Sequence, residues 1–345
     1  RAHGQDNVMF RDGFHTSLAS ENDVVVQDYR PAVVYLNGEF WGIQNIREKV
    51  NEHFIKTHHN IEPDELDLLA IQAGTEEPEL IHGSTEDYVE IRQFMSNNDL
   101  SIDDNYQYAA QRYDVESLID YKIAQIFVMN YDWPGNNNKL FKSKSSDGKW
   151  KHIMYDSDFG FERWTDLALG FIGSYQNYNM LDHAYGDGVV FNNPIWSTAI
   201  FTSFLDNMDF RTQFINTYCD RINTTFSTEN TINLMDSLHS IIDPYILDHI
   251  NRYGPDIYDS YTPNTLEQYN SAYQLMQNFA SYRPGNARNE MVQLFGLNGT
   301  SNTISLYMND SEAGYIEINS LEIDEQGWSG KYFSDVPITI KAVPR

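Results

Sequence analysis

The stretch 129–142 reads MNYDWPGNNNKLFK, and 153–161, one turn and a short strand later, reads IMYDSDFGF. Aspartate and asparagine are ordinary in solvated loops, where they bond their own backbone. Here they stand against apolar runs. Upstream, VESLIDYKIAQIFVMN places apolar residues at i, i+3 and i+4 and predicts a helix over 114–129. Downstream, KLFKS and KWKHIMYD flank the turn residues SSDG and predict a β-hairpin. The order is therefore apolar helix, polar loop, hairpin, then a second acidic pair.

Asp132 and Asn137 are separated as Asp and Asn are in the protein-kinase catalytic loop, H-R-D-L-x-x-x-N. There the Asp accepts the substrate hydroxyl proton and the Asn oxygen holds a magnesium ion. Such a loop must aim a carboxylate at the nucleophile and fold back to put a neutral oxygen on the metal. Asp156 and Asp158 offer hard oxygen ligands directly after a strand, and either can be the principal one. The rival reading is a self-satisfied loop, in which these side chains cap helices and turns.

Phosphoryl transfer also needs a cation near the phosphates. Arg47, Glu48 and Lys49, at the end of a predicted strand, are the candidates: a Lys or Arg paired with the Glu could grip them. The rival reading is a solvated strand end. The chain has no GxGxxGxV loop, no VAIK and no P-loop, and no HExxH, CxxC or GxSxG. His58-His59 lack a matching pair of ligands, and His3, His53 and His152 are scattered. Asp248-His249 and Arg252, in ILDHINRY, read as a helix surface or a buried polar contact.

Outward from this centre, VMFRDGFHTSLA is helical in spacing, and AVVYLNGEFWGIQNIREK carries two β-rich runs around Asn37-Gly38, the strongest short hairpin signal. Helices are expected over 50–60 and 86–98, a strand at LDLLAI, long surface loops over 162–195 and helices over 196–297. Residues 298–345 alternate in short strands. The fold class is α+β, divided as 1–297 and a small all-β module at 298–345.

Hydrophobic residues make up 41% of the 345, enough for a large core. Fifty acidic against 23 basic residues give a net charge of −27, which argues against nucleic acid or an anionic membrane as main partner. It suits metal ions or a cationic partner. The single cysteine, Cys219, permits no internal disulfide and reads as a small buried hydrophobe. No apolar run is long enough to span a membrane. The chain opens with RAHGQDNVMF rather than Met, as expected of a processed or truncated piece of an exported parent.

RPAVVYLNGEFWGIQNIREKV resembles the NGEYWGxYxxRE signature of the CotH family, the spore-coat protein H kinases. NYDWPGNNNKLF with KWKHIMYDSDFGF is similar to that family's N-W-D-x-x-x-x-N and W-D-x-D blocks, with Tyr131 and Tyr155 where Trp is common. RAHGQDNVMFRD is similar to its R-N-x-G-N-D…RD block, and HINRY, FASYRPGNAR and FGL to its C-terminal helical signatures. The resemblance covers about residues 1–297. It implies an atypical protein-kinase-like fold with a reduced N-lobe and a mainly helical C-lobe. It implies ATP and Mg²⁺ as cofactors, with Ca²⁺ or Mn²⁺ as alternative metals, and Ser on a protein as the acceptor. By position, Asp132 matches the catalytic aspartate, Asn137 the metal asparagine, and Asp156 and Asp158 the metal aspartates. Family members carry a further β-rich segment with a Lys-containing strand before the first block, and this chain begins after it.

The module at 298–345 resembles accessory domains of exported surface proteins, which implies an extracellular, periplasmic or cell-surface setting. The alternative function is a non-catalytic surface module. In it the acidic loop holds a structural divalent cation, and the Tyr/Asn-rich stretch 173–193 contacts a protein or polysaccharide. A metal-dependent hydrolase is a third reading, without a visible His/Asp cluster.

Overall fold

Asn37 and Gly38 both adopt left-handed backbone, with φ of 53° and 86°, and fold β2 (Tyr29–Leu36) onto β3 (Glu39–Arg47) as an antiparallel hairpin. Two successive positive φ values are what a two-residue hairpin turn requires. The computed structural model describes residues 7–162, 178–186, 193–253, 263–310 and 312–345.

A five-stranded sheet stands beside this hairpin, in the order β1-β7-β6-β4-β5. Its strands are β1 (Val25–Val26), β4 (Leu66–Ile71), β5 (Glu79–His82), β6 (Asn138–Ser143) and β7 (Lys151–Met154). All pairs are antiparallel except β1 with β7. The LDLLAI run of β4 is buried at every position. Leu66 and Leu68 join a small cluster with Phe54 and Ile55 of α2 (Glu52–His59), while Leu69 and Ile71 join the main core. Alternate side chains of one strand thus serve two apolar layers.

The helices are α1 (Arg11–Ala19), α3 (Glu86–Asn97), α4 (Asp103–Ala110), α5 (Val115–Phe127), α6 (Met180–Tyr185), α7 (Ile195–Asp206), α8 (Met208–Asn223), α9 (Thr228–Tyr253) and α10 (Leu266–Phe295). Asp114 caps the N-terminus of α5 by accepting from Ser117 N–H, and every residue from Ser117 to Phe127 is buried. Short strands follow: β8 (Ser301–Tyr307), β9 (Gly314–Ile318), β10 (Leu321–Ile323), β11 (Gly327–Phe333) and β12 (Ile340–Pro344). Their Ile318, Ile323, Tyr332 and Phe333 belong to the same apolar cluster as the helices.

The architecture is α+β, as expected. Two details differ. The helix α4 was not expected, because DDNYQYAA buries only Ala109 and carries no clear apolar stripe. The segment expected as surface loops over 162–195 contains α6, whose Met180, Leu181, His183 and Ala184 are buried. About half of the stretch 173–193, expected to contact a protein or polysaccharide, lies outside the described residues. Cys219 is fully buried, as expected.

The expected helix-surface group proves structural. His249 Nδ1 accepts Ile43 N–H at 3.1 Å, and Arg252 donates to Phe40 O at 2.7 Å while its guanidinium lies 4.4 Å from the Trp41 ring. These contacts moor the β2–β3 hairpin to α9. Gly42, at φ 125°, has no room for a side chain against Tyr253 and His249.

Candidate active site

The polar loop begins where α5 ends. Arg283 of α10, fully buried, donates to the carbonyls of Phe127 at 2.9 Å and Ile126 at 2.8 Å and pairs with Glu290. It supplies donors and positive charge to carbonyls at the helix C-terminus, where the backbone dipole is negative. Asn130 then reaches back to Gln125 Oε1 at 2.9 Å. Trp133 is wholly buried, and its Nε1–H donates to the Tyr121 hydroxyl at 2.9 Å.

From the other side, His183 Nε2 donates to Trp133 O at 2.6 Å, while its Nδ1 accepts from the Tyr178 hydroxyl at 2.6 Å. Burial lowers the His183 pKa to about 4, although the bond to Trp133 O opposes the shift. The imidazole is therefore neutral, with its proton fixed on Nε2.

Between these anchors lies Asp132, half-buried. Its Oδ2 accepts from Asn136 Nδ2 at 2.8 Å and Asn137 Nδ2 at 2.9 Å. Asn137 Nδ2 also donates to the carbonyl of Asp156 at 3.2 Å. Sheet register makes this meeting possible. Asn138 at the start of β6 pairs with Met154 at the end of β7, so Asn137 and Asp156 leave the hairpin side by side. Both adopt left-handed backbone, with φ of 50° and 52°. Five of the nine described non-glycine residues with positive φ fall between Met129 and Glu162. Such concentrated strain is typical of sites whose geometry is held by their surroundings.

The acidic pair is held by α1. Ser157, between Asp156 and Asp158, donates its N–H and hydroxyl to Asp12 Oδ1 at 2.8 and 3.0 Å, and its carbonyl meets His15 Nδ1 at 2.8 Å. Arg11 donates to Gly160 O at 3.1 Å and to Phe161 O. A Cβ on Gly160 would stand 2.3 Å from Val128 O, so only glycine fits where this loop crosses the end of α5. Asp158 is buried and Asp156 half-buried.

Arg47 Nη2 pairs with Asp12 Oδ2 at 2.9 Å. A chain of contacts therefore runs from β3 through Asp12 to the backbone between the two aspartates. The expected pairing of Glu48 with a neighbouring cation takes another form. Glu48 accepts from His58 at 2.7 Å and from Asp28 N–H at 3.0 Å. Burial alone would raise its pKa, but these bonds outweigh it and hold the carboxyl below its usual value. Lys49 is exposed beyond the strand end. Of the three, Arg47 is thus the one linked to the acidic pair.

Several site residues escaped sequence reasoning. Asp12 and His15 act across more than 140 positions of chain, and His183 lies in a stretch without periodicity. Lys139 could have been found. It is the second residue of β6, directly after the loop, and its Nζ lies 4.4 Å from the Tyr155 ring.

A divalent metal fits the donor set. Asn137 turns its amide nitrogen toward Asp132 and Asp156, which directs its Oδ1 away from them, and Asp156 and Asp158 add carboxylates. Among the described residues no group of three or more His, Cys, Asp or Glu is arranged to hold a metal. Two carboxylates and an amide suit Mg²⁺, which takes its remaining ligands from phosphate and water.

No helix among the described residues is long and apolar enough to cross a membrane. A comparison with curated proteins finds no match. The family model described as CotH kinase protein matches residues 1–286, which include Asp12, Arg47, Asp132, Asn137, Asp156 and Asp158, and on that match the chain belongs to the CotH kinase family.

Proposed function

We propose that the chain transfers the γ-phosphoryl group of ATP to a serine hydroxyl of a protein, with Mg²⁺ held by Asn137, Asp156 and Asp158. The observation that carries this reading is the pair of hydrogen bonds that Asn137 Nδ2 donates to Asp132 Oδ2 and to Asp156 O. One amide group thereby ties the base to the metal-binding strand end.

In this reading the Asp132 carboxylate, its orientation fixed by two amides, accepts the proton of the serine hydroxyl as its oxygen attacks the γ-phosphorus and the bond from that phosphorus to the bridging oxygen breaks, releasing ADP. Mg²⁺ would supply charge neutralisation at the phosphate oxygens. Lys139 near the start of β6 supplies positive charge, and Arg47, at the end of β3 in the separate hairpin, positions the acidic pair through Asp12. The five-stranded sheet and hairpin then serve as a reduced N-lobe, the helices as a C-lobe and residues 298–345 as an accessory module of an exported surface protein.

The test is calorimetric titration with ATP, with and without Mg²⁺, on the wild-type chain and on Asp156→Ala. Mg²⁺-dependent binding that the substitution abolishes is the expected result. Binding that ignores both the metal and the substitution would overturn the metal assignment. Absence of transfer to any serine-bearing protein, with binding intact, would overturn the kinase reading.

A further inference from the structure

Away from the Asp132 centre, α5, α8 and the C-terminal strands enclose a cleft of about 560 Å³. That volume lies in the range of ligand pockets, roughly 300–1,000 Å³. Its inner wall includes Ile119 and the ion pair of Arg221 with Asp120, whose two bonds of 2.7 and 2.8 Å balance their charges. Thr217 also lines it, is 5% exposed, and makes no side-chain hydrogen bond. Its oxygen is not among the buried polar atoms sealed without a partner, so it opens to the cleft and can bond a ligand there.

The cleft's other lining residues include Asp23, Glu116 and Asp209. Asp23 lies 3.6 Å from Lys151, whereas Glu116 and Asp209 are exposed and form no ion pair. These carboxylates do not converge on a point, since no three acidic or histidine side chains among the described residues form a metal-holding group. No aromatic ring is among the described lining residues, so the cleft lacks a platform for stacking a sugar. Spread negative charge around hydrogen-bonding groups and an apolar patch matches an extended chain with cationic side chains. Lysine or arginine would meet the carboxylates, and a peptide amide or carbonyl would meet Thr217.

We propose that this cleft binds a lysine- or arginine-bearing peptide segment, at a place separate from the Asp132 centre. The separation follows from α5 itself. Ile119 lies about 12 Å of helix from Phe127, and the Asp132 loop begins beyond that end.

The experiment is fluorescence anisotropy with labelled hexalysine at physiological salt, where the Debye length is about 8 Å and the long-range field of the net charge is largely screened. Saturable one-to-one binding is expected. Glu116→Gln with Asp209→Asn should weaken it about tenfold. Thr217→Val, nearly isosteric, should weaken it about threefold. Glu39→Gln with Glu79→Gln removes the same charge from exposed strand positions elsewhere and should leave affinity within about twofold. Thermal melts establish that each variant is folded. Equal losses in the two double variants would show a general charge effect and overturn the proposal, as would the absence of saturable binding. Displacement of hexalysine by a neutral oligosaccharide, sensitive to Thr217→Val, would assign the cleft to glycans and overturn it as well.

Discussion

Two buried polar regions of this molecule are built around aspartate, and they use it in opposite ways. Where the C-terminal strands meet α8, Asp220 accepts from Ser320 N–H at 3.0 Å, Ser320 Oγ at 2.7 Å, Asn319 Nδ2 at 3.3 Å and the Tyr332 hydroxyl at 2.6 Å. Both oxygens are committed to donors from the strands. At the candidate active site, the fixed donors of the D-S-D segment go instead to Asp12, which grips Ser157 from outside. Asp156 and Asp158 flank the held residue. A carboxylate that is itself tied by many donors is a latch. At the acidic pair the hold of Asp12 falls on Ser157, between two carboxylates, and so fixes the segment through a third residue.

This contrast predicts a separation of effects. The largest belongs to Asp132→Asn, which keeps the shape and an acceptor for the amides but removes the carboxylate proposed as the base. Phosphoryl transfer should fall roughly 10²–10⁴-fold, with an unchanged melting profile. Transfer at the wild-type rate would erase the distinction between the two regions.

Asp220→Ala should do the reverse. Removing the acceptor of four hydrogen bonds costs about 3 kcal/mol of stability, read by chemical denaturation. ATP binding by the folded fraction should be unaltered.

The third prediction concerns pH. Folding lowers the His183 pKa to about 4 from an ordinary 6.5. Above pH 6.5 both states are neutral and the contribution is complete. As pH falls toward 4, the unfolded chain binds a proton that the folded chain excludes, so stability is lost across that window. The full span is about 3 kcal/mol. Denaturation curves at pH 7 and pH 5 should differ less for His183→Gln than for wild type.

The smallest effect is that of Asp12→Asn, which weakens the Arg47 pair while keeping an acceptor for Ser157. Stability should drop by about 1 kcal/mol, and Mg²⁺-dependent ATP affinity should drop about tenfold. A loss of stability without loss of affinity would make Asp12 a latch like Asp220.

The legible parts of the fold were those decided by neighbours in sequence. The Asn37-Gly38 turn declares its own backbone geometry, and the short, mostly apolar run LDLLAI declares a strand. The meeting of Asn137 with Asp156 was readable because a hairpin joins them and its strands must align. The partners of that centre were not readable. Arg47 pairs with Asp12 of α1 and Glu48 with His58 of α2, partners that tertiary packing brings to the strand end and that no local pattern encodes. His183 and Arg283 secure the loop from helices placed by tertiary packing. Polar residues in aperiodic or amphipathic segments carry no mark that distinguishes a loop anchor from a surface group.

The alignment of Asn138 with Met154 has a practical consequence. Because both ends of the β6–β7 hairpin are fixed at the site, its opposite tip, the exposed residues 144–147, can change without shifting Asp132 relative to Asp156. An epitope or fluorophore-bearing peptide inserted there should report on the protein while leaving the chemistry at the other end of the strands undisturbed.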